Sequence, residues 1–554
     1  MARRRLGFGE GAMSEVALHE LTPLTVPGWT PMWTWPPQAE GETVTRMDVP
    51  LGDLFAYGCV HSPDKIALVD RRDAYDYATL ESLACSMAAA LQQGHNVVSG
   101  DRVMVVVRKS CRVPPLAVAI WKLGAVYMPV DAEAPPQRLA AMAARTAPKV
   151  VITIGAAPEL ERATVDVETL TATPDTPWRE SSYRHRPEDI AYMIHTSGST
   201  GVPKGVEISV ESLKCYFSAH NAVLRYHPNA RIFSLAAFHF DVSIEDTLLP
   251  LSLGGYVYQF NRPITGDIMR KALVAEQITH LIAVSTLLTM MSEKESLITA
   301  DTFPQMEMIM TGAELCSPRV ISLWKQRLPH ARVINAYGPT EVTIVCVCHE
   351  IAAADFDRTE PYPIGRPLEG VTALLLDHEG CDVTEPGIEG ELCLGGTQVM
   401  TGYANQPEET AKRIFVRDGI RFYRSGDICR RDVNGDIHFV GRNDAEVKIL
   451  GRRIHLGEIQ NCCLAVPGAE RAVVGVIRRG ERQLIAAIIV GAGPAVVEAA
   501  QRRVGETLPA YMQPAIWALT DANVLSRSGK TNDASLLTRL DERYAPGCDP
   551  VLMI

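Results

Sequence analysis

Residues 192–205 read YMIHTSGSTGVPKG, where a β-favouring run leads directly into a loop of glycines and hydroxylated residues that ends at a lysine. Glycines let backbone N–H groups point into one concavity, the hydroxyl groups add donors, and the lysine adds a positive charge. This order predicts a loop that holds a polyphosphate, and ATP is the ligand that suits it. The residues expected to bind ATP are Thr196, Ser197, Gly198, Ser199, Thr200, Gly201 and Lys204.

Composition alone leaves a second interpretation of this loop, a flexible surface linker of small residues. The loop is not a Walker A motif, which requires G-x-x-x-x-G-K-[ST] before a helix. The similar run SGKT at residues 528–531 also fails that test, because Val524 stands where the first glycine belongs.

The chain around the loop alternates short β-rich runs with amphipathic helices from about residue 50 to residue 440. This alternation predicts an α/β fold in which helices flank a layered, mostly parallel sheet. Near residue 441 the pattern changes to that of a small α+β domain, with a helix that starts at Pro494 and ends before Pro509. The clearest predicted strands are 102–107, 150–154, 190–194, 373–376, 446–450, 472–477 and 483–490, and the clearest helices are 80–91 and 115–123.

Composition excludes several classes of function. The 554 residues carry 54 Lys and Arg against 65 Asp and Glu, so the net charge of −11 disfavours nucleic acid as a partner. No window approaches the ~20 apolar residues that a membrane span needs. The 13 cysteines lack the paired C-x-x-C spacing of a zinc site, which favours reduced thiols in a cytoplasmic protein. The Pro- and Trp-rich residues 1–45 predict an extended lead-in whose tryptophans pack on the body or dock a partner.

Further short motifs follow one another along the chain. They are YATL (77–80), LGAVYMPVD (123–131), FDVS (240–243), NAYGPTE (335–341), GELCLGG (390–396), YRSGD (423–427) and GRND (441–444). Together with the phosphate loop they resemble, in the same order, the motifs of the adenylate-forming superfamily. This superfamily includes the adenylation domains of non-ribosomal peptide synthetases, acyl-CoA synthetases and luciferases.

The resemblance implies a large N-terminal part built of several subdomains and a small, mobile C-terminal domain. It divides the chain into the lead-in (1–45), a large adenylation core (46–441), a hinge (442–446) that contains Asp444, and a C-terminal lid (447–554). Because only residues 531–554 follow Lys530, we expect a free-standing enzyme that delivers its product to a phosphopantetheinylated carrier protein in trans.

For the nucleotide, the resemblance implies that Tyr337 offers a ring face to adenine in a turn fixed by the next two residues. Thr340 would supply an oxygen for the α-phosphate, and Glu341 would hold Mg²⁺. Asp427 would accept both ribose hydroxyls, with Arg442 beside it. The remaining expected contacts are Asn335, Ala336 and Gly338.

Each of these assignments has a structural alternative. Asp427 follows a glycine and could only close an Asx-turn, and Arg442 could only pair with Asp444. Lys530 could be a solvated surface lysine. The resemblance instead places Lys530 in the active site, bonded to the substrate carboxylate and a ribose oxygen, where it would offset charge as the carboxylate meets the α-phosphate.

The motif FDVS bears on the acid that is activated. In amino-acid adenylation domains an aspartate at this place pairs with the substrate ammonium, and Asp241 stands there. An acyl-CoA synthetase would gain nothing from an unpaired buried carboxylate. The alternative is that Asp241 caps the following helix.

The resemblance also implies which residues surround the substrate side chain. Among aliphatic neighbours Glu245 is a second carboxylate, which favours a basic substrate such as lysine, ornithine, another diamino acid or β-lysine. Alternatively, Glu245 turns away or pairs internally, with His239 close enough in sequence to be its partner. The expected lining residues are Asp241, Val242, Glu245, Ile282, Met310, Gly312, Ala336, Ile344 and Val345, with Lys530 closing the set.

Three hypotheses for function follow. The leading one is an ATP-dependent amino-acid adenylating ligase that then forms a thioester on a carrier protein. The second is an acyl-CoA or aryl-acid ligase of the same superfamily, and the third is a non-catalytic binding relative that keeps the fold.

Overall fold

The computed structural model describes residues 49–155, 164–171, 182–198, 203–315, 317–352, 358–479, 482–491, 493–520, 533–544 and 551–553. Sheets flanked by helices make up these residues, which confirms the predicted α/β class. The predicted lead-in (1–45) and Lys530 lie outside them. The described helices, numbered in chain order, are α1 (Ala56–His61), α2 (Tyr77–His95), α3 (Val113–Lys122), α4 (Pro136–Thr146), α5 (Val167–Leu170), α6 (Val210–Leu224), α7 (Leu249–Ser252), α8 (Gly266–Ala275), α9 (Ser285–Ser292), α10 (Pro318–Arg327), α11 (Pro407–Arg413), α12 (Leu456–Leu464), α13 (Pro494–Thr507) and α14 (Asp533–Arg543).

The first sheet positions most of the predicted substrate residues. In spatial order, its described strands are β15 (Arg366–Pro367), β14 (Val347–Glu350), β13 (Arg332–Tyr337), β12 (Met308–Gly312), β11 (His280–Ile282), β9 (Arg231–Ser234), β10 (Tyr256–Gln259), β1 (Ile66–Val69) and β2 (Ala74–Asp76). Neighbours from β13 to β1 are parallel. Parallel strands end at one edge of a sheet, so the segments that follow β9, β11, β12 and β13 meet there.

The second sheet carries the start of the phosphate loop. Its described strands, in spatial order, are β18 (Gly402–Tyr403), β8 (Lys204–Ser209), β7 (Ile190–Thr196), β4 (Val126–Asp131), β3 (Arg102–Val107), β5 (Val150–Thr153) and β6 (Thr164–Asp166). Helix α3 is buried against this sheet, and the indole N–H of Trp121 donates to the carbonyl of Ala191 in β7 at 2.7 Å. Strand β7 ends at Thr196, so the predicted run into the loop is confirmed as a strand.

A third, antiparallel sheet brings together two of the predicted nucleotide residues. Its described strands are β16 (Val371–Leu376), β17 (Glu389–Gly396), β20 (Ile420–Arg431) and β19 (Ile414–Arg417), with β21 (Ile437–Arg442) paired to β20. Asp427 in β20 is the register partner of Arg442 in β21. The sheet therefore sets these two residues side by side, although 15 positions separate them in the chain.

The C-terminal part begins with a hairpin of β22 (Glu446–Ile449) and β23 (Arg452–His455). A further sheet follows, with the described strands β24 (Ala469–Arg479), β25 (Arg482–Gly491), β26 (Ile516–Thr520) and β27 (Val551–Met553). Buried apolar residues form clusters drawn from 51–437 and separate clusters drawn from 454–540. The domain limits stay a prediction, but a boundary near 441–447 agrees with this division.

A buried ion pair joins the two parts, with Arg138 Nη1 of α4 lying 2.6 Å from Glu458 Oε1 of α12. None of the described helices is long and apolar enough to cross a bilayer.

Candidate active site

A cavity of about 570 Å³ lies at the edge of the first sheet where its parallel strands end. Ile282 is the last residue of β11 and Gly312 the last residue of β12, and Gly312 pairs in register with Ala336 of β13. A Cβ atom on Gly312 would lie 2.4 Å from the Ala336 carbonyl oxygen, so only glycine fits there. The structure brings all nine described substrate positions of the sequence analysis into the lining: Asp241, Val242, Glu245, Ile282, Met310, Gly312, Ala336, Ile344 and Val345.

At one wall of this cavity, the backbone that follows the turn at Tyr337, Gly338 and Pro339 is strained. Thr343 and Ile344 have φ values of +52° and +70°, a region that β-branched residues rarely adopt. Hydrogen bonds around Gln398 hold them, since its carbonyl accepts from the Thr343 hydroxyl at 2.6 Å and its amide donates to the Val345 carbonyl at 3.0 Å. Such strain is concentrated at functional sites in proteins.

Asp241 lies between the cavity and the residues expected at the α-phosphate. Its carboxylate accepts from the Val242 N–H at 2.9 Å and from the Thr340 side chain. Burial raises the pKa of Asp241 above its usual value, and these hydrogen bonds oppose that rise. No described N–H two or three residues further along donates to the carboxylate, so the capping alternative is not what the structure shows.

Glu245 lies in a π-helical turn (Ile244–Leu248) and is 0% exposed. Its Oε2 accepts from the Tyr216 hydroxyl and lies 3.3 Å from His220 Nδ1, while Oε1 has no hydrogen-bond partner in the described residues. The partners of Glu245 thus come from α6. His239, which the sequence offered as a partner, lies 3.8 Å from Asp131 instead.

The phosphate-loop residues are only partly described. Thr196 and Ser197 line the cavity and Gly198 follows them, whereas Ser199, Thr200 and Gly201 lie outside the described residues. Lys204 is in β8 and does not line the cavity. Its ammonium lies 2.7 Å from Glu409 Oε2 and 5.0 Å from the ring centre of Tyr403. Hydrogen bonds from Lys204 and Lys412 lower the pKa of Glu409 to about 2.

The predicted adenine and ribose residues form one hydrogen-bonded group. The Tyr337 hydroxyl donates to Asp427 Oδ2, and Arg442 bonds Asp427 Oδ1. Lys448 Nζ lies 5.1 Å from the Tyr337 ring centre, so a cation of the C-terminal hairpin covers the ring. Gly338 lines the cavity, whereas the buried Asn335 amide donates to the carbonyl of Pro363 at 2.8 Å.

Arg442 is bonded to the predicted hinge residue as well as to Asp427. Its Nε and Nη2 lie 2.8 and 2.9 Å from the two carboxylate oxygens of Asp444, a bidentate pair. Burial alone would raise the pKa of Asp444, but the Arg442 guanidinium holds it below its usual value. The alternative that Arg442 pairs only with Asp444 is therefore wrong, because it bonds both carboxylates.

Arg453 of the hairpin is the main site residue that the sequence analysis missed. Its Nη1 lies 2.6 Å from Glu341 Oε2, its Nε lies 2.6 Å from Glu446 Oε2, and its carbonyl accepts from the Ser197 hydroxyl at 2.9 Å. Tyr403 donates to the other oxygen of Glu341 at 2.8 Å. Burial raises the pKa of Glu341, but the guanidinium outweighs burial and holds that pKa below its usual value.

The tip of the hairpin closes against the cavity at Gly451. Its φ is +71°, and a Cβ atom there would lie 2.5 Å from Val284 Cγ1. The Gly451 N–H donates to Glu314 Oε1 at 2.9 Å. Hairpin residues that line the cavity without having been predicted are Glu446, Lys448, Leu450, Gly451, Arg452 and Arg453. In the sequence, the basic run KILGRR (448–453) was the only indication of such residues, and it does not show what they would contact.

A cavity outside the carboxyl ends of parallel strands is where α/β enzymes bind their ligands. The family model of the AMP-binding enzyme matches residues 55–404, and the chain belongs to this family. The predicted resemblance to the adenylate-forming superfamily is thereby confirmed.

Relatives and solved structures agree with this assignment. Chondramide synthase cmdD from Chondromyces crocatus is 30% identical over 509 residues, which are 87% of this chain and 13% of that protein. Novobiocin biosynthesis protein H from Streptomyces niveus is 29% identical over 533 residues, 92% of this chain and 86% of that protein. PA1221, described as an NRPS protein containing adenylation and PCP domains, has the same fold, with a TM-score of 0.77 at 22% identity over 88% of this chain and 84% of that one.

We expect Arg453→Met to lower the free energy of unfolding by about 3–5 kcal/mol near neutral pH, because it leaves the buried carboxylate of Glu341 without its cation. The pKa of Glu341 is depressed in the native protein, so the contribution of its pairing is present at neutral pH and is lost on acidification. The deficit of the variant should therefore shrink below pH ~4.3, where glutamate is ordinarily protonated. Urea unfolding at several pH values measures this.

The control is Arg452→Met in the same hairpin, whose guanidinium lies 4.5 Å from the Tyr511 ring centre. An equal loss of unfolding free energy in both variants, or a loss in Arg453→Met that does not change with pH, would contradict the pairing of Arg453 with Glu341.

Proposed function

We propose that this protein adenylates an amino acid with ATP and then transfers the aminoacyl group to the phosphopantetheine thiol of a carrier protein. The observation that supports this most is the pair Asp241 and Glu245, two carboxylates in the lining of one cavity beside the nucleotide residues. Among the described residues no lysine or arginine forms an ion pair with either one. Two carboxylates in one cavity, Glu245 buried and Asp241 half-buried, without a lysine or arginine partner favour a substrate that brings its own positive charge.

In the first step, a substrate carboxylate oxygen bonds to the α-phosphorus of ATP as the bond to pyrophosphate breaks. Asp241 holds the α-ammonium and thereby orients the carboxylate towards Thr340, whose side chain it already contacts. Lys530 supplies positive charge where the two anionic groups meet. In the second step, the carrier thiolate attacks the acyl carbon and AMP leaves.

Mg²⁺ fits this site through Glu341. Magnesium ions in nucleotide sites use one or two carboxylates together with phosphate oxygens and water, so one buried carboxylate suffices. The described residues contain no cluster of three or more His, Cys, Asp or Glu arranged around an ion. Glu341 already holds a positive group, the Arg453 guanidinium, and would hold the ion once that side chain has withdrawn. When bound, Mg²⁺ neutralises charge on the phosphates.

A carrier protein is the proposed acceptor for two reasons. The structural relative PA1221 is described as containing a PCP domain besides its adenylation domain. In this chain the cavity also reaches apolar residues beyond the substrate positions, including Val284, which meets the hairpin tip at Gly451. That apolar end suits the uncharged arm of phosphopantetheine.

Amino-acid-dependent ATP–pyrophosphate exchange tests the proposal. We expect exchange with a diamino acid, and Glu245→Gln should lower kcat/KM for it by at least roughly thirtyfold, because truncating one partner of a buried charged pair costs about 2–5 kcal/mol. The kcat/KM values for norleucine and methionine should change little, so these two amino acids serve as internal controls. Exchange only with simple acids would favour the acyl-CoA ligase, and no exchange with any acid would favour a binding protein.

Lys530→Ala should leave ATP binding nearly intact and lower the exchange rate roughly a hundredfold or more, since a transition-state contact of ~2.7 kcal/mol is lost. Exchange kinetics and nucleotide titration measure the two effects separately. Lys294→Ala, which removes an exposed lysine paired with Asp267, is the control. A variant that keeps more than about a tenth of the rate would show that Lys530 is not catalytic.

Asp444→Pro should separate the two steps, because proline fixes φ and restricts the residue before it. Pyrophosphate exchange should survive while loading of an added carrier protein is lost. Asp444→Ala removes the bidentate pair with Arg442 but leaves the backbone free, and should keep both activities. Equal loss of both steps in the proline variant would mean general destabilisation and not a blocked hinge.

A further inference from the structure

Behind Glu245 a chain of buried side chains leads away from the cavity. The Tyr216 hydroxyl bonds Glu245 Oε2, Tyr216 lies 2.6 Å from His220 Nδ1, and His220 Nε2 lies 3.8 Å from Cys348 Sγ. Tyr216 and His220 belong to α6, and Cys348 belongs to β14. Tyr216, His220 and Cys348 are not among the residues expected at the substrate, and none of the three lines the cavity, whereas Glu245 does.

Counting protons fixes the direction of the bond between Tyr216 and His220. A tyrosine hydroxyl has one proton, and here it points to Glu245. His220 Nδ1–H must then donate to the Tyr216 oxygen, and His220 Nε2 lies 3.8 Å from the Cys348 sulfur. Burial raises the pKa of Cys348 well above its usual value, so the thiol keeps its proton.

No described lysine or arginine forms an ion pair with the Glu245 carboxylate. The Tyr216 hydroxyl bonds its Oε2, and His220 Nδ1 lies 3.3 Å from the same oxygen. Oε1 is buried without a hydrogen-bond partner in the described residues, although Glu245 lines the cavity. An unpartnered buried carboxylate oxygen is costly unless a ligand supplies the missing donor.

The backbone at Glu245 supports a role in binding. Residues Ile244–Leu248 form a π-helical turn, and the N–H of Leu249 donates to the carbonyl of Ile244 five residues earlier. Such turns insert one extra residue into a helix and are frequent at functional sites, where they redirect a side chain. Here the turn directs Glu245 towards α6 on one side and the cavity on the other.

We infer that Tyr216 and His220 are positioning residues that set substrate specificity through Glu245. They hold the carboxylate in one orientation through Oε2, with no described lysine or arginine paired to it, so that Oε1 binds a side-chain ammonium of the substrate. The inference rests on the proposed function, and it narrows the substrate class to amino acids with a second, protonated amine that reaches Glu245. The hydrogen-bonded side chains behind Glu245 take no part in bond formation.

The test compares exchange kinetics for matched pairs, lysine with norleucine and ornithine with norvaline. We expect Tyr216→Phe to lower the kcat/KM ratio of the diamino acid to its neutral partner at least tenfold, mainly through KM. His220→Leu should lower it similarly, whereas His220→Asn, whose amide nitrogen occupies the place of Nδ1 and still donates to Tyr216, should keep most of the ratio. A purely structural role would lower both substrates alike and would not distinguish asparagine from leucine.

Tyr226→Phe is the matched control, because this buried tyrosine is also close enough to influence Glu245 electrostatically but its hydroxyl bonds no described group. It should leave the ratio unchanged. Two results overturn the positioning role of Tyr216 and His220 and leave the proposed adenylation activity standing. One is a wild-type preference for a neutral amino acid, and the other is an equal loss of kcat/KM for both substrates in Tyr216→Phe. Absence of amino-acid-dependent exchange in the wild type overturns the proposed function itself.

Discussion

The guanidinium groups of Arg442 and Arg453 pair with a group of carboxylates beside the cavity, and the rest of the site depends on that pairing. A buried charge without a partner costs several kcal/mol, so each carboxylate must find a cation or face a ligand. Asp427, Glu341, Asp444 and Glu446 find one of the two arginines. Among the described residues, Asp241 and Glu245 are not paired with any arginine or lysine, and both line the cavity. The carboxylates that have an arginine partner are thus distinct from the two without one, and it is these two that the proposed function assigns to the substrate.

Local pattern was sufficient to predict much of the fold. The β-rich run RVMVVV became β3 with the predicted limits, and the helix expected from Pro494 became α13. Such elements are encoded by residues that are neighbours in the chain, through the spacing of apolar positions and the residues at their ends. The nine predicted substrate positions came instead from the family resemblance, and several of them meet in one cavity because they lie at or after the ends of neighbouring parallel strands.

Partners that are distant in the chain could not be predicted in the same way. Glu341 and Arg453 are 112 residues apart, and no periodicity links a carboxylate after one strand to an arginine in the hairpin that begins the C-terminal part. Proximity in sequence also suggested His239 as the partner of Glu245. The π-helical turn instead points Glu245 towards α6, where Tyr216 and His220 lie, 29 and 25 residues before it in the chain. Charge complementarity was readable from the sequence, but the choice among several partners is made by tertiary packing.

The buried chain behind Glu245 has a consequence for redesign of the pocket. An exchange of the lining residues alone, for example Glu245 for leucine to admit an apolar side chain, would leave the Tyr216 hydroxyl without its acceptor. A stranded buried donor costs about 1–3 kcal/mol. A pocket re-engineered for a neutral substrate therefore needs compensating changes in α6, which lies outside the cavity wall. Specificity in this protein is a property of two layers of residues, and evolution or design must alter both together.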